Sequence, residues 1–379
     1  MLTIAIIGAG PLTKHLAARA RELNIKVLCF AWAKGAVARD YVDVFYDIDI
    51  FDTDRIIELC RENKVDGVLA TTELTVKIAA KVALALDLPS NSIDVASNIT
   101  NKEWVREKGK NFKYIKQPFF IHGKNPDDKI TVSSFPVIVK PVSYGGKHGI
   151  TVVYSEDKLE QALACAHDSV KGRNKDGVIV EQFLDGGQEY SVETLSFKGK
   201  HYVIQITQKD SSGAPHCVEL GHHQPADLTA CMRENVESAI VNMLDTVNIE
   251  YGPCHTEIKI INDEIYLIEI NARPGGDCIS YPLTELSSGY KYLTGIILAA
   301  CGIFLNPKQY SSKKRYAGIY FITKQTAQLK PLFDYCDGKP WLYRKNKVSE
   351  ELQEITFNDD EHINNFIYCA DKKITLEDL

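Results

Sequence analysis

The sequence predicts a mixed α/β and α+β protein: a parallel-sheet unit first, an antiparallel α+β centre next, and a small β-rich C-terminal lobe. Three observations predict it. The chain opens strand, glycine turn, helix, strand, and keeps that alternation to about residue 98. From Val178 onward, long alternating stretches follow one another across short turns, as in an antiparallel meander. Beyond about Ser311 the strand-like stretches become short and their connectors charged.

Taken in order, Leu2–Ile7 is a short apolar strand, Gly8-Ala9-Gly10-Pro11 a turn, and a helix runs to about Leu23 before a strand at Ile25–Ala31. This Rossmann-like opening does not carry the dinucleotide fingerprint. The third glycine position is Thr13, and the second strand ends in Phe30-Ala31-Trp32 with no acid for a ribose. Val42–Asp47 and Asp66–Thr71 read as further strands, Asp54–Asn63 and Val76–Leu86 as helices. Asn101–Gly109 is a charged helix with Lys102 at its start. Phe135–Pro141 is a strand that places Lys140 at its end. The loop from Ser143 to Gly149 then holds Gly145-Gly146, where backbone N–H groups can approach phosphate oxygens unobstructed. It is no Walker loop, because a strand at Ile150–Tyr154 follows where that motif needs a helix. Asp157–His167 is a helix, Val178–Leu184 a strand, and Gln188–Phe197 alternates with Glu189, Ser191 and Glu193 on one face. His201–Lys209 returns beside it. His216, Cys217, His222 and His223 have no closed zinc spacing and read as a loop carrying substrate contacts. Leu228–Val247 and Tyr292–Gly302 are helices, and Tyr316–Ile322, Trp341–Arg344 and Ile355–Phe357 are short strands.

The stretch Glu250–Gly276 carries the chemistry. It reads as a hairpin in which Glu269, Asn271 and Arg273 share one face. Glu257 on the first strand faces Glu269 only if the loop is odd, Asn262 to Glu264; a two-residue Asn-Asp turn puts the acids on opposite faces. The odd loop is the expectation. Two carboxylates and an amide oxygen then make a hard-oxygen site suited to Mg²⁺, and Arg273 beside it suits a phosphate or acyl phosphate.

Composition bounds the class. At 379 residues, more than one core is expected. Apolar content of 45% and charged content of 25% are those of a globular protein. A net charge of −6 supplies no basic field for nucleic acid, and no apolar run is long enough for a membrane span. Ten scattered cysteines without a Cys-x-x-Cys pair, and a start that enters a strand directly, point to free thiols in a reducing cytoplasm. Cys254 and Cys278 beside the hairpin read as small buried hydrophobes.

The ordered set VIVKP, SYGGKHG, VIVEQFL, QEYSVE, GHHQP, HTEIKI and LIEINARPGG resembles the ATP-grasp superfamily, and within it the carboxylate–amine ligases, including bacterial L-amino acid ligases. The resemblance covers nearly the whole chain. It implies an N-terminal domain at 1–98, an ATP-grasp domain at 99–310 with subdomains near 112–186 and 187–310, and a C-terminal lobe at 311–379. It implies that Lys102 and Lys140 contact ATP phosphates and that the Gly145-Gly146 loop closes over them. Glu181, Phe183 and Leu184 would line the adenine pocket, Glu189 would take the ribose hydroxyls, and Glu257, Glu269 and Asn271 would hold Mg²⁺, with Mn²⁺ not excluded. Arg273 would face the transferred phosphoryl, the Gly275-Gly276 amides would steady the carboxyl substrate, and Glu193 and His222 would lie in the substrate pocket. The partners implied are a small carboxylate and an amine, with no nucleic acid or membrane; a homodimer is not excluded. A carboxylase using bicarbonate, or a non-catalytic ATP-binding protein, shares much of this site and stays as an alternative.

Overall fold

A computed structural model describes residues 1–143, 149–169, 176–214, 217–309, 315–355 and 363–379. The Gly145-Gly146 loop, His216 and the end of the expected Ile355–Phe357 strand lie outside them.

The N-terminal unit is β1 (Thr3–Ile7), α1 (Pro11–Glu22), β2 (Lys26–Ala31), β3 (Val44–Asp47), α2 (Thr53–Glu62), β4 (Gly67–Ala70), α3 (Glu73–Ala85) and α4 (Ile93–Asn98). Its four strands are parallel in the order β3-β2-β1-β4. All five residues of β1 are buried, as a strand covered on both faces requires. The Thr13 hydroxyl, standing where a dinucleotide fold has glycine, donates to the Gly8 carbonyl at 3.0 Å and closes the turn internally.

Next come α5 (Lys102–Gly109), β5 (Phe120–Gly123), β6 (Val137–Pro141), β7 (Thr151–Val153), α6 (Leu159–Asp168) and β8 (Val178–Gln182). These strands form an antiparallel sheet in the order β5-β8-β6-β7, with α6 packed on its apolar face.

The rest of the chain is β9 (Gln188–Phe197), β10 (Lys200–Ser211), β11 (Glu219–Gln224), α7 (Ala230–Thr246), β12 (Gly252–Ile261), β13 (Glu264–Asn271), α8 (Thr284–Ser288), α9 (Tyr292–Ala300), β14 (Tyr316–Phe321), α10 (Lys330–Tyr335), β15 (Leu342–Asn346) and β16 (Asn365–Ala370). One eight-stranded sheet unites them in the order β13-β12-β9-β10-β11-β14-β16-β15. The β-rich C-terminal strands therefore join the central meander edge to edge through β11–β14. The segment expected to be a loop around His222 and His223 is strand β11, the link between the two.

The hairpin corrects the expected register argument. Ile261 pairs with Glu264, so the turn is the two-residue Asn262-Asp263, and both residues have positive φ (50° and 63°) as a type I′ turn needs. By itself that turn would set Ile268 opposite Glu257 and send Glu269 to the core. A β-bulge intervenes: Ile258 pairs with Leu267, but Glu257 pairs with Glu269, leaving Ile268 as the extra residue. The core side chains show the same change of parity, since Ile265, Leu267 and Ile270 all lie in one apolar cluster. The two acids face each other as expected, but the odd residue sits in the strand and not in the turn.

Candidate functional site

A cleft of about 770 Å³ runs between the sheet that holds β6 and β8 and the sheet that holds β9 to β13. Lys102, Lys140, Glu181, Phe183, Leu184, Glu189, Glu257, Glu269, Arg273 and Gly276 all line it.

On one wall, Glu181 is buried between two cations. Arg106 Nε donates to Oε1 at 2.7 Å, and Lys140 Nζ donates to Oε2 at 2.6 Å. Burial opposes ionisation, yet Arg106 and Lys140 outweigh it and hold the Glu181 carboxyl down at about 2. The Glu181 side chain is thus committed to anchoring Lys140, while the residue itself lines the cleft as expected of a pocket residue. Lys102, the first residue of α5, is also buried there, and burial together with Lys140 lowers its pKa. Downstream of β8, Lys259 Nζ donates to the Leu184 carbonyl at 2.7 Å and fixes the segment that carries Phe183 and Leu184.

The opposite wall is the hairpin. Asn271 Nδ2 donates to Glu269 Oε1 at 2.9 Å, which orients the amide and carboxylate together. Glu257 Oε1 accepts from Lys209 Nζ and lies 3.3 Å from His255 Nε2. Lys209 is buried and also reaches Glu219 at 3.0 Å and Glu189 at 3.2 Å. Burial would strip its proton, but the three carboxylates raise its pKa well above the usual lysine value. His255 stands between Glu193 and Glu257; despite burial, Glu193 foremost raises its pKa to about 9, so it is an imidazolium at neutral pH. Glu189, Glu219 and Glu257 offer oxygens within 4.8 Å of one another, but Lys209 already supplies a cation there. Glu257, Glu269 and the Asn271 amide keep the hard-oxygen character a Mg²⁺ ion needs, so the residues fit that ion.

Several expected substrate contacts lie behind the wall. Glu193 is fully buried: it pairs with His255, accepts from Gly275 N–H at 3.1 Å and from Ser280 Oγ at 2.7 Å, and does not line the cleft. The Gly275 amide is thereby spent on Glu193, and only Gly276 of the pair faces the cleft. His222 is 0% exposed, and neither ring nitrogen has a hydrogen-bond partner among the described residues. Burial drives its pKa down to about 3, so it is a neutral residue beneath the cleft, not part of its lining.

Arg106, Lys209, His255 and Glu73 did not emerge from sequence reasoning. Glu73, the first residue of α3, pairs with Arg273 Nη2 from 200 positions away, while Arg273 Nη1 donates to the Pro274 carbonyl at 2.7 Å. Lys102 and Arg106, four apart on one helix, carried the only local signal: both face inward.

Buried lysines facing a carboxylate–amide wall across a cleft between two sheets have the chemistry that suits a metal-bound polyphosphate. Residues 133–281 match the ATP-grasp domain family. It is 25% identical over 313 residues to a formate-dependent phosphoribosylglycinamide formyltransferase of Synechococcus sp. (strain CC9605), covering 79% of this chain and 77% of that one. An L-amino acid ligase from Bacillus licheniformis has the same fold, with a TM-score of 0.80 at 22% identity over 98% of this chain and 94% of that one. The biotin carboxylase domain of Hydrogenobacter thermophilus 2-oxoglutarate carboxylase, solved with MgADP and bicarbonate, gives 0.72 at 18% identity, covering 97% and 86%.

Proposed function

We propose that the protein is an ATP-dependent ligase that activates a small carboxylate as an acyl phosphate and joins it to an amine, releasing ADP and phosphate. The observation that carries this reading is the convergence of Glu257 and Glu269, the latter bonded to the buried Asn271 amide, on a cleft whose other wall holds Lys102 and Lys140. A carboxylate oxygen attacks the γ-phosphorus of ATP, and ADP leaves. The amine nitrogen then attacks the acyl carbon, loses a proton, and phosphate leaves. Mg²⁺ held by Glu257, Glu269 and Asn271, or Mn²⁺ in its place, supplies Lewis acidity at the phosphates.

The chain's own residues do the rest. Lys140, fixed by Glu181, and Lys102 neutralise phosphate charge without reorganising. Phe183 and Leu184 hold the base, and Glu189 the ribose. Arg273, held by Glu73, presents its guanidinium to the transferring phosphoryl. The Gly276 amide steadies the carboxyl end. The working division is 1–98, 99–310 and 311–379, and we place the protein in the cytoplasm.

The test is release of ADP and phosphate from ATP against a panel of amino acids paired with amines. Turnover that requires both a carboxylate and an amine supports the reading. ATP binding without turnover for any pair overturns it, and turnover with bicarbonate alone replaces the ligase with a carboxylase.

A further inference from the structure

The bulge at Ile268 decides the site, and one side chain meets it. Strand β13 is the outer strand of its sheet, and its exposed edge is bonded only in places. Lys116 pairs there: its N–H donates to the Ile265 carbonyl at 2.7 Å, and Leu267 N–H donates to the Lys116 carbonyl at 3.0 Å. With strict alternation the outward carbonyls after Ile265 belong to Leu267 and Glu269, and that of Ile268 turns toward β12. The bulge frees the Ile268 carbonyl from that ladder, and Arg106 Nη2 donates to it at 2.7 Å. The same guanidinium donates from Nε to Glu181 at 2.7 Å and from Nη1 to Gln117 Oε1 at 3.1 Å. Arg106 is 1% exposed, so these bonds are made away from water.

We propose that Arg106 is a positioning residue that pins the Ile268 bulge, keeps Glu269 and Asn271 on the cleft face opposite Glu257, and ties that face to the Glu181–Lys140 wall. A planar guanidinium is the side chain able to serve three acceptors in one plane; a lysine ammonium at the same place cannot span them. Without the Ile268 contact the strand relaxes toward the unbulged register, in which Glu269 would be the residue turned toward the apolar cluster of Leu267 and Ile270. Arg106 thus acts on the metal ligands while touching none of them.

The inference rests on reading Glu257, Glu269 and Asn271 as metal ligands. Its experiment uses the full chain with Arg106→Lys, which keeps a cation beside Glu181, and Arg106→Met. Two readouts are taken: Mn²⁺ affinity in the presence of ADP, by electron paramagnetic resonance, and amide exchange of hairpin peptides in the metal-free protein. Both variants are expected to bind Mn²⁺ about ten- to a hundredfold more weakly, the usual effect of losing a group that orients a ligand. Hairpin exchange should rise around 267–270 while the β9–β10 peptides keep their protection. Adding Arg106→Lys to Glu269→Gln should weaken Mn²⁺ binding by clearly less than the product of the two single effects, because both act on the same strand face. Unchanged Mn²⁺ affinity and unchanged hairpin exchange in Arg106→Lys overturn the proposal. If the wild-type protein binds no Mn²⁺ with ADP, the metal reading falls, and the exchange data still decide whether Arg106 holds the bulge.

Discussion

Replacing Glu181 with glutamine removes the one carboxylate that Arg106 and Lys140 share. Two routes give the magnitude. The carboxyl is held at about 2, well below the ordinary glutamate range. That depression corresponds to about 3 kcal/mol of stability. Independently, taking one member from a buried ion cluster costs about 3–5 kcal/mol, because the partners stay buried without a counter-charge. The sign follows from the depressed pKa. The contribution is complete above pH 4.5 and is lost as pH falls toward 2. The assay is urea unfolding followed by tryptophan fluorescence, with Trp104 two residues from Arg106 on α5. Glu181→Gln should unfold at clearly lower urea at pH 7, and its deficit against wild type should shrink as the pH drops below 4.5. A variant within about 1 kcal/mol of wild type at pH 7 would refute the reasoning, since that is the range of an exposed pair. So would a deficit that does not change between pH 7 and pH 3.

Glu269→Ala and Arg273→Ala should each lower kcat by about 10²–10³-fold or more, the scale of losing one preorganised charge-stabilising group, with an unchanged far-ultraviolet dichroism spectrum; wild-type turnover in either contradicts the site. Gly275→Ala would place its Cβ 2.6 Å from His255 Nδ1 and 2.7 Å from Glu193 Oε1, whereas at Gly276 nothing lies within 4 Å. The first should destabilise by about 1–3 kcal/mol and the second should leave thermal stability near wild type, as differential scanning calorimetry would register. Burial holds His222 neutral with its pKa lowered from 6.5 to about 3, so its contribution is complete above pH 6.5 and is lost as pH falls. His222→Leu should flatten the stability profile between pH 6.5 and 4 by up to about 1.4 kcal/mol per pH unit; parallel profiles for the two proteins would show that His222 is protonated without cost.

Alternation made most of the fold legible. The parallel unit, the strand carrying Lys140, the meander of β9 and β10 and the acid-bearing hairpin all follow from period-two or period-3.6 patterning against glycine turns. Strand β11 was not legible because Glu219–Gln224 is almost entirely buried despite its polar residues, so no face alternates. Strand β16, Asn365–Ala370, is equally buried and sits in a charged stretch that reads as connector. Lys209 and Arg106 were hidden for a related reason. A lysine or arginine in sequence reads as solvated, and only the coordinates reveal that three acids surround the first and that the second has lost all but 1% of its exposure.

The hairpin shows why a correct parity requirement led to the wrong residue. Opposed acids demand one odd residue somewhere between Glu257 and Glu269, and sequence favours the turn because turns tolerate insertions. Asn262 and Asp263, however, both adopt the left-handed region that a two-residue turn uses, so the turn had no need of a third. The odd residue therefore went into the strand, where its displaced carbonyl required a donor that the ladder could not provide. Arg106 provides it from a helix about 160 positions upstream, and the pairing could not be inferred from either segment alone. The consequence reaches the chemistry. Carboxylates meant for a cation must stay ionised and in place before the cation arrives. Here Lys209 and the His255 imidazolium pair with Glu257, and the bulge sets Glu269 opposite it. On the proposed ligase reading, a hairpin that sets its own acids in this way would not need the metal to assemble its ligands.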